Sequence, residues 1–115
     1  MTKIIDFYCD EVLSGRLPIR KVAETERCLA FHHTKPSWSL HIVIIPKSHL
    51  TTLSDVQDFS LISEIFTVIS DIVKVQQLET MNYKVITNGG TFQDTKHLHF
   101  HLVAGTPLNN VTREP

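Results

Sequence analysis

Three histidines alternate with apolar residues in the segment His97-Leu98-His99-Phe100-His101. A β-strand points successive side chains to opposite faces, so this spacing predicts three imidazoles on one face and apolar side chains on the core face. Polar strand faces more often carry Thr, Lys or Glu, whereas imidazole serves as nucleophile, acid, base or metal ligand near neutral pH. The segment is therefore predicted to carry a functional site.

Two kinds of chemistry suit such a face. Histidines two residues apart on a strand are able to bind one zinc ion, and a third ligand would complete a catalytic metal site. Alternatively, a neutral imidazole attacks a phosphate group while a protonated neighbour gives a proton to the departing group. The turn Asn88-Gly89-Gly90 ahead of the strand favours phosphate, because small residues let backbone N–H groups approach its oxygens.

Charge and cysteine content narrow the class of protein. A formal net charge of -1 with scattered basic residues indicates no nucleic-acid partner and no membrane surface. No signal peptide is recognised, and no apolar stretch approaches the ~18 residues that span a bilayer. Cys9 and Cys28 are too few for a disulfide framework and indicate free thiols. These features predict a cytoplasmic protein with a single domain over residues 1–115.

The elements that position the histidines are predicted from hydrophobic spacing and turn residues. A short helix over Phe7–Leu13 ends before Gly15. A long helix begins in a capping box of Ser54 and Gln57 and ends near Gln77. Strands are predicted at residues 21–24, 28–31, 40–45, 83–87 and 97–103. Strands on both sides of one long helix predict an α+β fold with an antiparallel sheet of about five strands.

The long helix also indicates an assembly. Its apolar positions cover an arc that is wider than the single stripe of a surface helix. A small domain with such a helix often completes its burial through a two-fold partner. The sequence therefore predicts a homodimer that continues the sheet, with burial of the helix in its own fold as the alternative.

The segment HLHFHLV resembles the His-φ-His-φ-His-φ-φ signature of the histidine-triad superfamily, in which φ is apolar. Further segments resemble its Hint-type nucleoside phosphoramidase branch, namely RCLAFH at 27–32, HIVIIPKSH at 41–49, Asn88-Gly89-Gly90, and Gln93 four residues before the triad. The resemblance implies an α+β fold, a symmetric homodimer, and hydrolysis of purine nucleoside phosphoramidates or related AMP conjugates. No cofactor is required by the implied reaction.

The resemblance also implies a role for each matching residue. His99 would attack the α-phosphorus and form a nucleotidyl-histidine intermediate that water then cleaves. His101 and His41 would contact phosphate and assist the leaving group, while His97 would fix the local geometry. Residues expected to hold the phosphoryl oxygens or to lie beside them are Asn88, Gly90, Gln93 and Asp94. Residues expected around the base and sugar are Tyr8, Val12, Phe31, His32, His33 and Val43.

Departures from the family pattern lead to specific expectations. His33 stands where the family usually has an acidic residue for the ribose hydroxyls, and Asp94 stands where Ser or Thr is common. The segment from Asn88 to His97 is about two residues shorter than usual. Some members bind a structural zinc through cysteines near the first helix and two histidines. Because that set is incomplete here, no bound metal is expected; the weaker candidate ligands are Cys9, His49 and His97, with Asp6 nearest to a missing cysteine.

Other functions remain open at this point. A dinucleoside polyphosphate hydrolase would use the same histidines on a different leaving group. A nucleotidyl transferase is disfavoured, because the transferases of the superfamily have His-Pro-His where this chain has Leu98 and Phe100. A nucleotide-binding regulatory module with little turnover is favoured by Asp94 and His33 and opposed by the intact triad. A zinc hydrolase is the third alternative.

Overall fold

The computed structural model describes residues 6–108. A five-stranded antiparallel sheet has the order β1-β2-β3-β5-β4. Its strands are β1 (Lys21–Glu24), β2 (Cys28–His32), β3 (Trp38–Pro46), β4 (Tyr83–Thr87) and β5 (Phe100–Pro107), and the helix α1 is Ser60–Val75. The α+β class, the five antiparallel strands and the single long helix predicted from the sequence are confirmed.

Helix α1 covers one face of the sheet. Its buried side chains Leu61, Ile65, Val68, Ile69, Ile72 and Val73 pack with the inward residues of β2, β3 and β5. Leu98, Phe100 and Leu102 belong to this core, as their alternation with the histidines predicts. The opposite face of the sheet is therefore left for the histidines.

The N-terminal helix Tyr8–Leu13 lies on that opposite face. It has π-helical hydrogen bonding, and Gly15 follows it with a φ of 84°. Tyr8 and Val12 form a second apolar cluster with residues of β2 and β3. The predicted short helix is present, and it lies on the histidine side of the sheet.

The predicted start of the long helix is wrong. The capping box at this point is formed by Thr52 and Asp55, and it belongs to a separate 3-10 turn, Leu53–Asp55. Val56 is extended with a φ of -73° and a ψ of 126°, so the turn does not continue as a helix. Asp58 Oδ1 accepts the backbone N–H of Ser60 at 3.0 Å, and α1 begins there.

The last strand also begins later than predicted. Pairing of β5 with β3 and β4 starts at Phe100 instead of His97. Ahead of Phe100, the backbone N–H of Leu98 donates to Leu50 O at 2.6 Å, and Thr87 Oγ1 donates to His99 O at 2.8 Å. Loop contacts therefore hold the first half of the histidine segment.

Within residues 6–108, no helix is long and apolar enough to cross a membrane.

Candidate active site

The histidines named from the sequence meet on one face of the sheet. Strand register pairs His101 of β5 with Val43 of β3, and His41 lies two residues before Val43 on the same face. The ring centroids of His99 and His101 lie 4.9 Å apart. The imidazoles are buried, each at most 2% exposed, in His41, His97, His99 and His101. The imidazole face of the sheet is therefore buried and is not exposed to solvent.

A backbone carbonyl fixes the proton on His99. Nδ1 of His99 lies 2.6 Å from the carbonyl oxygen of His97, so this nitrogen carries the proton and donates it. In the neutral ring Nε2 therefore holds the lone pair that a nucleophile needs. Burial lowers the pKa of His99, although the hydrogen bond to the carbonyl of His97 and the charges of Asp6 and Asp94 act in the opposite direction.

A directed chain of hydrogen bonds links Ser37, His41 and His101. The backbone N–H of Ser37 donates to Nδ1 of His41 at 2.9 Å, so the proton of His41 is on Nε2. That Nε2 donates to Nδ1 of His101 at 2.9 Å, and a neutral His101 therefore carries its proton on Nε2. Burial lowers the pKa of His41 to about 3, and the charges of His33 and His99 contribute. His101 presents an N–H donor.

His33 extends this group from the loop after β2. Its ring centroid lies 4.3 Å from that of His41 and 5.8 Å from that of His101. The backbone N–H of Lys35 donates to Nδ1 of His33 at 2.9 Å, so the proton of this ring is also on Nε2. Burial lowers the pKa of His33 to about 4, with a contribution from the charge of His99. A neutral N–H donor thus stands where the resemblance implied a carboxylate.

His97 belongs to a second group of side chains, beside the N-terminal helix. Its Nε2 donates to the carbonyl oxygen of Pro46 at 2.9 Å, so Nδ1 is unprotonated in the neutral ring. That Nδ1 lies 2.5 Å from Oδ2 of Asp6 and 3.5 Å from Sγ of Cys9. His49 contacts the same Asp6 oxygen through its own Nδ1. His97 thereby connects the helix to the histidine segment.

The charges in this second group depend on Asp6. Burial acts to raise the pKa of Asp6, but hydrogen bonds with Cys9 and His97 outweigh it and hold that pKa below its ordinary value. Burial, together with the neighbouring Asp6 carboxylate, raises the pKa of Cys9 to about 11. The group therefore combines a buried carboxylate with a thiol that stays protonated unless a cation binds.

Among residues 6–108, two groups of side chains bring metal-ligating atoms within 4.8 Å of one another: the Asp6 cluster (Asp6, Cys9, His49 and His97) and the His41 cluster (His33, His41 and His101). In the Asp6 cluster, the unprotonated Nδ1 of His97 faces the carboxylate oxygen of Asp6. Two atoms that both carry lone pairs require a proton or a cation between them. A thiolate, two imidazoles and one carboxylate are ligands that zinc accepts, so the Asp6 cluster fits a structural zinc ion.

The His41 cluster does not fit a metal in the same way. Backbone N–H groups occupy Nδ1 of His33 and Nδ1 of His41, so both Nε2 atoms carry protons. A ligating imidazole needs an unprotonated nitrogen toward the metal and donates from its other nitrogen. The backbone donors of Lys35 and Ser37 prevent that arrangement.

The predicted phosphate-binding residues lie on the loop between β4 and β5. Asn88, Gly89 and Gly90 line a cleft of about 390 Å³ together with Thr52, Leu53, Ser54 and Thr87. Gln93 is 3% exposed, and its Nε2 donates to Thr51 O at 2.7 Å. Asp94 is exposed, and its carboxylate is close enough to favour the protonated form of His99.

The residues expected around the base come together in one apolar cluster. Tyr8, Val12, Phe31 and Val43 are each at most 5% exposed and pack with one another. The ring centroid of Tyr8 lies 5.0 Å from that of His99 and 6.0 Å from that of Phe31. An apolar wall therefore adjoins the predicted nucleophile.

His32 is the expected residue that the structure does not bring to the site. It follows Phe31 on β2 and pairs with Ile42, whose side chain belongs to the core under α1. Strand alternation therefore directs His32 to the helix side of the sheet, away from the imidazole of His99.

Sequence reasoning missed the backbone groups that set the protons of the site. These are the N–H groups of Lys35 and Ser37 and the carbonyl groups of Pro46 and His97. Every residue carries such groups, so residue type alone gives no signal for them.

Comparison with known proteins places this geometry in a family. The HIT domain model matches residues 14–108, which is most of the chain, and the chain belongs to the HIT domain family. A histidine triad protein from Clostridium difficile has a structure with a TM-score of 0.80 at 34% identity, covering 97% of this chain and 100% of that chain. The resemblance to the histidine-triad superfamily is confirmed.

Two further relatives bear on activity. A HIT family hydrolase from Legionella pneumophila has a TM-score of 0.78 at 30% identity, covering 87% of this chain and 92% of that chain. The adenosine 5'-monophosphoramidase of Candida albicans is 32% identical over 101 residues, 81% of this chain and 66% of that protein. These activities are those of the relatives, and they guide the proposal made below for this chain.

Proposed function

We propose that this protein hydrolyses purine nucleoside phosphoramidates or related AMP conjugates at the α-phosphate. The observation that carries the proposal is the hydrogen bond from Nδ1 of His99 to His97 O, which leaves the Nε2 lone pair of a buried imidazole as the nucleophile. The similarity to the Candida albicans adenosine 5'-monophosphoramidase supports the choice of substrate class.

The reaction proceeds in two steps on this geometry. In the first, Nε2 of His99 bonds to the α-phosphorus as the bond from phosphorus to the leaving group breaks. The leaving group takes the Nε2 proton of His101, which the chain from Ser37 through His41 holds in place, and the negative charge left on His101 is balanced by the positive charge of nucleotidyl-His99. In the second, water attacks the phosphorus, its proton returns to His101, and AMP and neutral His99 are released.

Binding of the nucleotide is assigned to the surrounding residues. The purine packs on the apolar cluster of Tyr8, Val12, Phe31 and Val43. The phosphoryl oxygens accept hydrogen bonds from the Asn88–Gly90 turn and from the second Nε2 hydrogen of Gln93, whose first hydrogen is donated to Thr51 O.

We propose that hydrolysis requires no metal. When bound at the Asp6 cluster, zinc would supply a structural link between the N-terminal helix and the histidine segment. EDTA treatment is therefore expected to leave turnover intact while lowering the melting temperature of protein that was isolated with metal. Loss of turnover in EDTA that zinc restores would instead support the zinc hydrolase.

We also propose a symmetric homodimer that pairs β4 with its copy. Strand β4 is at the edge of the sheet, with Tyr83 and Val85 exposed. Both side chains line a groove together with Phe66 of α1, which is 45% exposed. An apolar edge beside an apolar helix surface suits a two-fold partner, because one contact buries both.

The test is release of AMP from adenosine 5'-phosphoramidate by the wild-type protein and by His99→Ala. We expect His99→Ala to lose at least about 10³-fold in kcat, as nucleophile removal does in other covalent mechanisms. His32→Ala is the matched control, because it removes a histidine from the opposite face and should retain activity.

Two outcomes would redirect the proposal. Tight AMP binding with no release by either protein would favour a nucleotide-binding regulatory module. Faster cleavage of a diadenosine polyphosphate than of the phosphoramidate, still dependent on His99, would favour a dinucleoside polyphosphate hydrolase.

A further inference from the structure

His33 is tied to His41 through both its backbone and its ring. The backbone N–H of His33 donates to His41 O at 2.8 Å. Its imidazole lies over that of His41, with the ring centroids 4.3 Å apart and the planes inclined by 32°. His41 is 2% exposed, so this ring contact covers a face of His41 that would otherwise meet solvent or substrate.

The loop that carries His33 also supplies the proton-fixing amide of His41. Within five residues, Lys35 N–H donates to His33 and Ser37 N–H donates to Nδ1 of His41, each at 2.9 Å. Rotation of the His41 ring by a half turn would replace Nδ1 with a C–H group and break the bond from Ser37. The His33 ring opposes that rotation because it is in contact with the His41 ring.

The orientation of the His41 ring decides which nitrogen of a neutral His101 carries the proton. While Nε2 of His41 donates to Nδ1 of His101 at 2.9 Å, the proton of a neutral His101 is on Nε2. If His41 rotated, Nδ1 of His101 would lose its donor, and His101 would be free to carry its proton on either nitrogen. A fixed donor at His101 therefore depends on a fixed ring at His41.

We propose that His33 is a positioning residue whose ring, in contact with the ring of His41, holds the chain Ser37–His41–His101 in the one orientation that makes His101 the proton donor. This inference rests on the proposed function only in the step where His101 gives its Nε2 proton to the leaving group. The ring of His33, and not its ability to ionise, performs this role. Both rings are neutral at pH 7, because burial lowers the pKa of His33 to about 4 and that of His41 to about 3.

The kinetic test compares His33→Phe, which keeps a stacking ring, with His33→Asn, which keeps a polar group but has no ring. With adenosine 5'-phosphoramidate as substrate, we expect His33→Phe to retain kcat within about threefold and His33→Asn to lose about tenfold or more, with a smaller change in KM. His32→Asn is the matched control on the opposite face of β2. Equal losses of kcat in His33→Phe and His33→Asn would overturn the proposal.

The tautomers give a second readout that needs no turnover. Long-range ¹⁵N–¹H spectra of the imidazoles are expected to show the protons of His41 and His101 on Nε2 in the wild type and in His33→Phe. In His33→Asn, we expect the His101 signals to move toward a mixture of both tautomers. A wild-type His41 protonated on Nδ1, or unchanged His101 signals in His33→Asn, would overturn the proposal. Absence of turnover in every protein, with these tautomers as expected, would instead count against the proposed function.

Discussion

The imidazoles around His99 differ in which ring nitrogen carries the proton, and a backbone group makes that choice in most of them. Carbonyl oxygens accept from Nδ1 of His99 and from Nε2 of His97, whereas N–H groups donate to Nδ1 of His41 and of His33. Side chains of one type are thereby given different chemical roles within one small volume.

Asp94 gives the first prediction at this scale. Its carboxylate favours the protonated form of His99 and repels an incoming phosphate. Asp94→Ser is therefore expected to raise kcat/KM for adenosine 5'-phosphoramidate by about tenfold, a change of about 1.4 kcal/mol. Asp55→Ser, which removes a carboxylate of the Leu53–Asp55 turn, is the control. An unchanged kcat/KM in Asp94→Ser would mean that this carboxylate does not act on the bound phosphate.

The lowered pKa values of His33 and His41 predict how stability depends on pH. Unfolded histidines bind protons as the pH falls through about 6.5, whereas the folded rings stay neutral down to pKa values of about 4 and 3. The unfolded chain then binds more protons, so the melting temperature is expected to fall from pH 7 to pH 5.

His33→Phe is the comparison for this pH effect. It removes one of the histidines with a lowered pKa, so the melting temperature should fall less between pH 7 and pH 5 than it does in the wild type. Parallel pH profiles of the two proteins would contradict the assignment of the effect to His33.

At the scale of elements, the sequence pattern predicted the features that follow from side-chain periodicity, namely the strands and the direction in which their side chains point. The alternation around Phe100 correctly separated imidazoles from core residues, and the strands other than β5 lie close to their predicted bounds. The start of α1 at Ser60 was missed, because the Ser54-x-x-Gln57 spacing matches a capping box, whereas these residues lie at a separate 3-10 turn that does not continue into the helix. The tautomers at the site could not be predicted, since they depend on hydrogen bonds with backbone groups, which every residue carries.

Two glycines allow a matched test of strand geometry. Gly15 and Gly105 have φ values of 84° and 85°, in the left-handed region. A Cβ at Gly15 meets no atom within 4 Å, but at Gly105 it would overlap Oγ of Ser39. That hydroxyl donates to Ala104 O and accepts from Thr106 N–H, joining β3 to β5.

Alanine at these positions should therefore have unequal effects. We expect Gly15→Ala to lower the free energy of unfolding by about 1 kcal/mol through backbone strain alone. Gly105→Ala should lower it by more, because Ser39 must also move. Chemical denaturation of both variants measures the difference, and equal losses would contradict a structural role for the Ser39 contact.

At the scale of the whole molecule, the edge strand β4 predicts the assembly. Val85→Lys places a charge on this edge and is expected to convert the dimer to a monomer, as measured by light scattering. Val75→Lys is the control, because Val75 is 79% exposed and lines a different groove, between α1 and β1. A wild-type protein that is itself monomeric, or a dimeric Val85→Lys, would contradict pairing through β4.

The Asp6 cluster and the His41 cluster also differ in which ring nitrogens carry protons. In the Asp6 cluster, lone pairs of His97 and Asp6 face each other and suit a cation, whereas the rings of His33 and His41 carry N–H groups, which suit an anion. A cation and a phosphate would therefore be held by different side chains and would not compete with each other. If zinc binds at the Asp6 cluster, its removal is expected to weaken the attachment of the N-terminal helix without changing the groups proposed to bind phosphate.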